Sequence, residues 1–167
     1  MAEILSIKYF VKRTEEGMGI EKIRLKAQGL SPEVIDLLDS PSLEGADLRG
    51  LNLNGVWLKG ANLKGANLQG ASLNFAVLSE ADLEDANLES ADLSRANFIA
   101  ANLKNANMQK ANLYYARFTC ADMRGANLKG ANIQRAIFRC ANLSGADVRN
   151  ARGEPIIDRT IMDSIIR

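Results

Sequence analysis

The sequence predicts an all-β solenoid: a four-sided β-helix of about five coils, each twenty residues long, with an α-helical segment before it and a short cap after it. Three observations carry this. Every fifth residue from Leu43 to Val148 is apolar, 22 positions without a break in register. The residue two before each of these is Ala from Ala61 through Ala146. The exceptions to the pattern recur at intervals of twenty.

A period of five matches neither the 3.6-residue repeat of a helix nor the two-residue repeat of a strand. The chain must turn once per unit, so each unit A-(N/D)-L-x-x is one side of a coil. Ala and Leu, two apart in a short extended piece, point to the same side. The residue between them is Asn, Asp or Ser in 18 of the 22 units. Asn and Asp favour turns by bonding to nearby backbone, and Gly, frequent two positions after the Leu, tolerates positive φ.

The number of sides follows from the irregularities. The residue before the apolar centre departs from Asn, Asp or Ser only at Trp57, Val77, Arg117 and Ile137, which are separated by multiples of twenty. The three Phe centres, Phe98, Phe118 and Phe138, are spaced by twenty, as are Cys120 and Cys140. A fifteen-residue coil would scatter the Phe residues over different columns, and a ten-residue coil would leave no room inside for Leu. Four sides per turn satisfies both constraints.

This run resembles the pentapeptide repeat family, whose consensus is A-(D/N)-L-x-x, and the likeness covers about residues 41 to 150. The resemblance implies a right-handed quadrilateral β-helix. It also raises a specific activity, because some members of that family mimic duplex DNA and bind DNA gyrase. Such mimicry needs a strongly negative rod. Residues 41–150 carry 12 Lys or Arg against 10 Asp or Glu, so that requirement is missing. The family's regulatory members in cyanobacteria are a further parallel, and nothing in the residues fixes such a role.

Three regions are expected: a helical cap over 1–40, the repeat over 41–150, and a C-terminal cap over 151–167. In the first, Ile4, Ile7, Phe10 and Val11 share a helix face, and Ile20, Ile23 and Ala27 form a second. Ser31-Pro32-Glu33 then reads as an N-cap, a Pro in the first turn and an acidic start. In the last region, Ile156, Ile157, Ile161, Ile165 and Ile166 suggest a short helix from about Asp158.

Composition bounds the function. The 167 residues carry 21 Lys or Arg and 20 Asp or Glu, a net charge of +1, which argues against a polybasic nucleic-acid binder. There is no His. The chain therefore has no Ser-His or Cys-His dyad, no His-ligated metal and no imidazole switch. Leu and Ala filling the bore leave no cavity for a small-molecule substrate, and no cofactor, metal or catalytic constellation is expected. The start of the chain does not read as a signal peptide, and no apolar run is long enough to span a membrane, so a cytoplasmic location is the expectation. Cys120 and Cys140 would sit about 4.8 Å apart in adjacent strands, somewhat wide for a relaxed disulfide, and two thiols alone do not make a zinc site.

One surface stands out. The column Phe75, Arg95, Tyr115, Arg135 alternates aromatic and guanidinium groups one coil apart, and Val77, Arg117 and Ile137 lie beside it. Exposed aromatic, aliphatic and Arg side chains are the composition of interface centres. The residues permit two readings: a self-stacking ladder that stabilises the rod, or a docking face for a protein partner, a second copy of the chain included. Glu44, Lys64, Glu84, Lys104 and Arg124 on another side read as a solvated charge ladder.

Overall fold

A computed structural model of the chain describes residues 42–167. The helical reading of residues 1–40 lies outside them. Among the described residues there is no helix; the chain advances as short bridged segments separated by two-residue turns, one of each per five residues through the repeat. The bridges are all parallel, beginning Asp47↔Asn67, Asn52↔Ser72, Trp57↔Val77 and Asn62↔Asp82. Four bridges thus pass before the chain returns above its start, which is the four-sided coil that the twenty-residue spacing predicts.

The unit's chemistry explains the geometry. The residue between Ala and Leu points outward, and its backbone N–H donates to the coil before: Asn87 N–H reaches the Ala66 carbonyl at 2.9 Å. The Leu N–H donates to the coil after, as Leu63 does to the Asp82 carbonyl at 2.7 Å. The turn closes when the next Ala donates back to the Leu carbonyl, as Ala66 does to Leu63 at 3.0 Å. Backbone groups inside the rod are therefore paired, as burial demands.

Asn serves twice. Its side-chain oxygen accepts from the backbone N–H two residues on, and its amide donates to the equivalent residue one coil earlier. Asn107 Oδ1 takes the Gln109 N–H at 3.2 Å, and Asn107 Nδ2 donates to Asn87 Oδ1 at 3.1 Å. Asn87 and Asn127 continue the same ladder along that side. The turn role follows from the sequence. The inter-coil ladder is an added finding.

The interior is filled by the apolar centres and their Ala partners. Leu63, Leu83, Leu103, Phe98 and Phe118 have no exposed area, and Ala66 through Ala146 are buried at every unit. Phe98 and Phe118 stack with centroids 5.0 Å apart and planes 7° from parallel, and Phe118 and Phe138 stack at 5.1 Å and 10°.

Each turn places its second residue at positive φ, near 60°, whether or not it is Gly. Ala100 (φ 57°), Lys110 (φ 58°) and Cys120 (φ 56°) occupy a conformation that L-residues avoid. Ala100→Gly is accordingly expected to leave stability unchanged or raise it by up to about 1 kcal/mol, the reverse of the usual loss for Gly in regular structure. Ala106→Gly, in the buried interior, is the control and should destabilise. Urea midpoints of the two variants check the pair.

The structure corrects the C-terminal expectation. Residues 151–167 contain no helix. The bridges continue as Asn132↔Arg152, Ile137↔Ile156, Asn142↔Ile161 and Asp147↔Ile166, so the residues assigned to a cap form most of another coil. Ile156, Ile161 and Ile166 are five apart; Ile161 and Ile166 pair with Asn142 and Asp147 of the coil before, and Ile156 with Ile137. Their β-branched side chains suit an extended segment. Ile157, Ile161 and Ile165, four apart, would also suit a helix, but the bridges follow the five-residue spacing. From Ile156 onward the offset between bridged residues is nineteen instead of twenty. The missing residue is taken up near Gly153, at φ 102°. An apolar hollow of about 180 Å³ opens at this end, lined by Phe138, Leu143, Ile157, Met162 and Ile165 among others.

Candidate functional site

The column singled out in the sequence lies along one corner of the coil. Phe75, Arg95, Tyr115 and Arg135 all occupy the positive-φ turn position, at 59°, 58°, 56° and 58°. A left-handed turn residue projects its side chain off the corner. Phe75 is accordingly 58% exposed, and Arg95 and Arg135 are exposed too. Val77, Arg117 and Ile137 stand two residues further on, joined in register by the bridges Val77↔Asn97, Asn97↔Arg117 and Arg117↔Ile137. Arg117 is exposed, while Val77 and Ile137 are half-buried.

The structure brings Phe75, Arg95, Tyr115 and Arg135 together as two cation–π pairs. The Arg95 guanidinium lies over the Phe75 ring, 5.2 Å from its centroid. The Arg135 guanidinium lies over the Tyr115 ring at 5.5 Å. Arg135 Nη1 also donates to the Tyr115 hydroxyl oxygen at 2.7 Å. Tyr114 packs edge-on against Tyr115, with centroids 4.6 Å apart and planes at 90°. The alternation of ring and guanidinium was legible in the sequence. The hydroxyl bond was not, because spacing alone does not say which rotamer brings Nη1 to the phenol.

The other side chains noted in the sequence do less. Lys64 pairs with Glu84 at 3.1 Å, but Lys104 and Arg124 both turn to Asp122, at 3.4 and 2.7 Å, so the charge ladder is broken. Such exposed pairs contribute about 0–1 kcal/mol. At both ends of one side an Arg grips the Asp two residues before it, Arg49 on Asp47 and Arg149 on Asp147, each at 2.6 Å. The Arg side-chain bonds hold both carboxyls down at about 2. Cys120 and Cys140 are free, exposed thiols; burial and the neighbouring Cys140 push the Cys120 thiol up. Among the described residues no group of His, Cys, Asp or Glu is placed to hold a metal ion, and no helix is long and apolar enough to cross a membrane.

The family model for pentapeptide repeats matches residues 42–65, 58–95, 91–130 and 116–152, eight copies in all. The chain belongs to the pentapeptide repeat family. Members of this family form right-handed quadrilateral β-helices, which supplies the hand of the coil. A pentapeptide repeat protein from the thylakoid lumen of Arabidopsis thaliana is 35% identical, with a TM-score of 0.59 over 65% of this chain and 81% of that one. The pentapeptide repeat protein alr5209 from Nostoc PCC 7120 is 34% identical, with a TM-score of 0.52 over 57% of this chain and 78% of that one. QnrB1, a plasmid-mediated fluoroquinolone resistance protein, is more distant at 16% identity and a TM-score of 0.41 over 75% of this chain and 82% of that one. Nothing about its activity carries over at that distance. No curated protein matches the chain.

Proposed function

We propose that the chain is a non-enzymatic scaffold that docks a protein partner on the surface formed by Phe75, Val77, Arg95, Tyr115, Arg117, Arg135 and Ile137. One observation carries this reading. At this corner four coils in succession set an aromatic or Arg side chain at positive φ, whereas the neighbouring corner that also forgoes Gly carries Glu80, Ala100, Cys120 and Cys140. Left-handed backbone costs a non-Gly residue about 1–2 kcal/mol. An exposed cation–π contact returns only about 0.5–1 kcal/mol, and each such contact here is shared by two strained residues. Strain alone does not mark the column, since Ala100 and Cys120 bear it too; what sets this corner apart is its run of exposed ring and guanidinium groups, the composition of interface centres. The adjoining side points the same way: Val77, Arg117 and Ile137 have no side-chain oxygen to accept the turn N–H that Asn97 holds for Ile99 at 3.1 Å.

The test is the double variant Arg95→Ala with Arg135→Ala. It is expected to melt within a few degrees of the parent, because both residues are exposed and surface changes shift stability by about 0.5 kcal/mol, and to lose partner recovery from extracts of the native host. A clear fall in melting temperature with recovery intact would make the column a structural ladder instead.

A further inference from the structure

Four arginines share this strip: Arg95 and Arg135 at the corner, Arg117 and Arg139 on the adjoining side, all exposed. Among the described residues, ion pairs form elsewhere, at Asp47, Glu80, Glu84, Asp122 and Asp147, and none includes any of the four. Acids adjoin the strip at its ends, and Asp92 stands on the side that leads into the Arg95 corner. Glu80 is held by Lys59 at 3.1 Å. Glu154 and Asp158 follow in the last coil, where their backbone carbonyls accept from Arg135 and Cys140. Between them lies a run of positive charge interleaved with Ile99 and Ile137.

The chain is close to neutral as a whole, so this is a local separation of charge. Acid is gathered instead on Asp82, Glu84, Asp85, Glu89 and Asp92, on the other sides of the coil that carries Arg95. Two of the four guanidiniums are also pre-oriented. Arg95 lies on Phe75, and Arg135 is fixed by both the Tyr115 ring and its hydroxyl. A guanidinium already held against a ring loses less freedom when it takes a carboxylate.

We propose that this strip recognises a carboxylate-rich segment of a protein partner, with Arg95 and Arg135 gripping acidic side chains and Ile99 and Ile137 receiving an apolar residue between them. This rests on the docking reading above and names the chemistry of what docks. Phosphates would also suit arginine. Single-stranded nucleic acid, however, binds by stacking bases on open aromatic faces, and here guanidiniums already lie over the Phe75 and Tyr115 rings.

The experiment pans a random displayed-peptide library against the immobilised full chain and measures the enriched peptides on the parent, on Arg95→Ala/Arg135→Ala and on Arg95→Lys/Arg135→Lys. A fluorescent single-stranded oligonucleotide is titrated in parallel. Enriched peptides are expected to carry Asp or Glu around an apolar residue. They should bind the alanine variant at least about tenfold more weakly, since each loses a charge-assisted hydrogen bond. The lysine variant should fall between, keeping charge without the planar grip. Binding should weaken toward ~1 M salt, where the screening length is ~3 Å. Peptides without acid that the alanine variant nevertheless loses would overturn the acidic assignment and leave the docking surface standing. Acidic peptides bound equally by all three proteins would overturn both. Oligonucleotide binding lost in the alanine variant, with no peptide enriched, would reassign the strip to nucleic acid. Absence of any binder would overturn the proposal.

Discussion

Phe118→Ala is expected to destabilise the protein by about 3–5 kcal/mol. Phe118 has no exposed area and is the middle ring of three, stacked on Phe98 at 5.0 Å and on Phe138 at 5.1 Å. Truncation removes both contacts and leaves a void bounded by backbone that cannot collapse, because each coil is tied to the next through hydrogen bonds on every side. Coupling in a solenoid runs between neighbouring repeats, so a break in the middle weakens both halves. Lys104→Ala removes only a partly exposed ion pair to Asp122 and should cost about 0.5 kcal/mol or less. Chemical denaturation of the two variants checks the contrast, and equal shifts would contradict a bore packed by the Phe column.

Gly153→Ala is expected to undo the last coil. A Cβ there would lie 2.6 Å from both the backbone nitrogen and the Cα of Gln134, and φ is 102°. Neither the backbone neighbour nor the conformation can give way without moving the coil. Overlap of this kind costs about 1–3 kcal/mol, and backbone strain adds about 1–3 kcal/mol. The neighbour coupling confines the damage. Hydrogen exchange should accelerate at the amides of Ile156, Ile161 and Ile166 while the Asn67 and Asn87 amides stay protected. By contrast, Gly65→Ala meets no atom within 4 Å of the added Cβ and carries only the strain of φ 63°. Similar exchange in both variants would mean that Gly153 is not where the nineteen-residue offset is fixed.

The coil was legible in the sequence because its determinants are local and repeated. Ala, Asn and Leu in fixed order set which atoms face in, which close the turn and where the next side begins. Irregularities such as Trp57, Val77, Arg117 and Ile137 then gave the number of sides. The last coil was misread because a single-residue deletion breaks the register before Ile156, and because Ile161 and Ile166 stand where the coil before has Asn142 and Asp147. Pattern reading has no access to the close approach between Gly153 and Gln134 that accommodates it. The candidate surface was legible as a column but not in its strain. Nothing in the residue types of Phe75 or Tyr115 announces positive φ; that follows only from their place two positions after each Leu, where Gly55 stands in the first coil.

The docking claim is tested most directly by site-specific photocrosslinking in the native host. A photoreactive residue is placed at Ile137, on the Arg-bearing side, or at Gln69, exposed on the opposite side of the coil. An adduct to one protein is expected from position 137 that disappears when Arg95→Ala and Arg135→Ala are added, with no such adduct from position 69. Adducts of equal yield from both positions, or an adduct from position 137 that survives the two arginine substitutions, would contradict it.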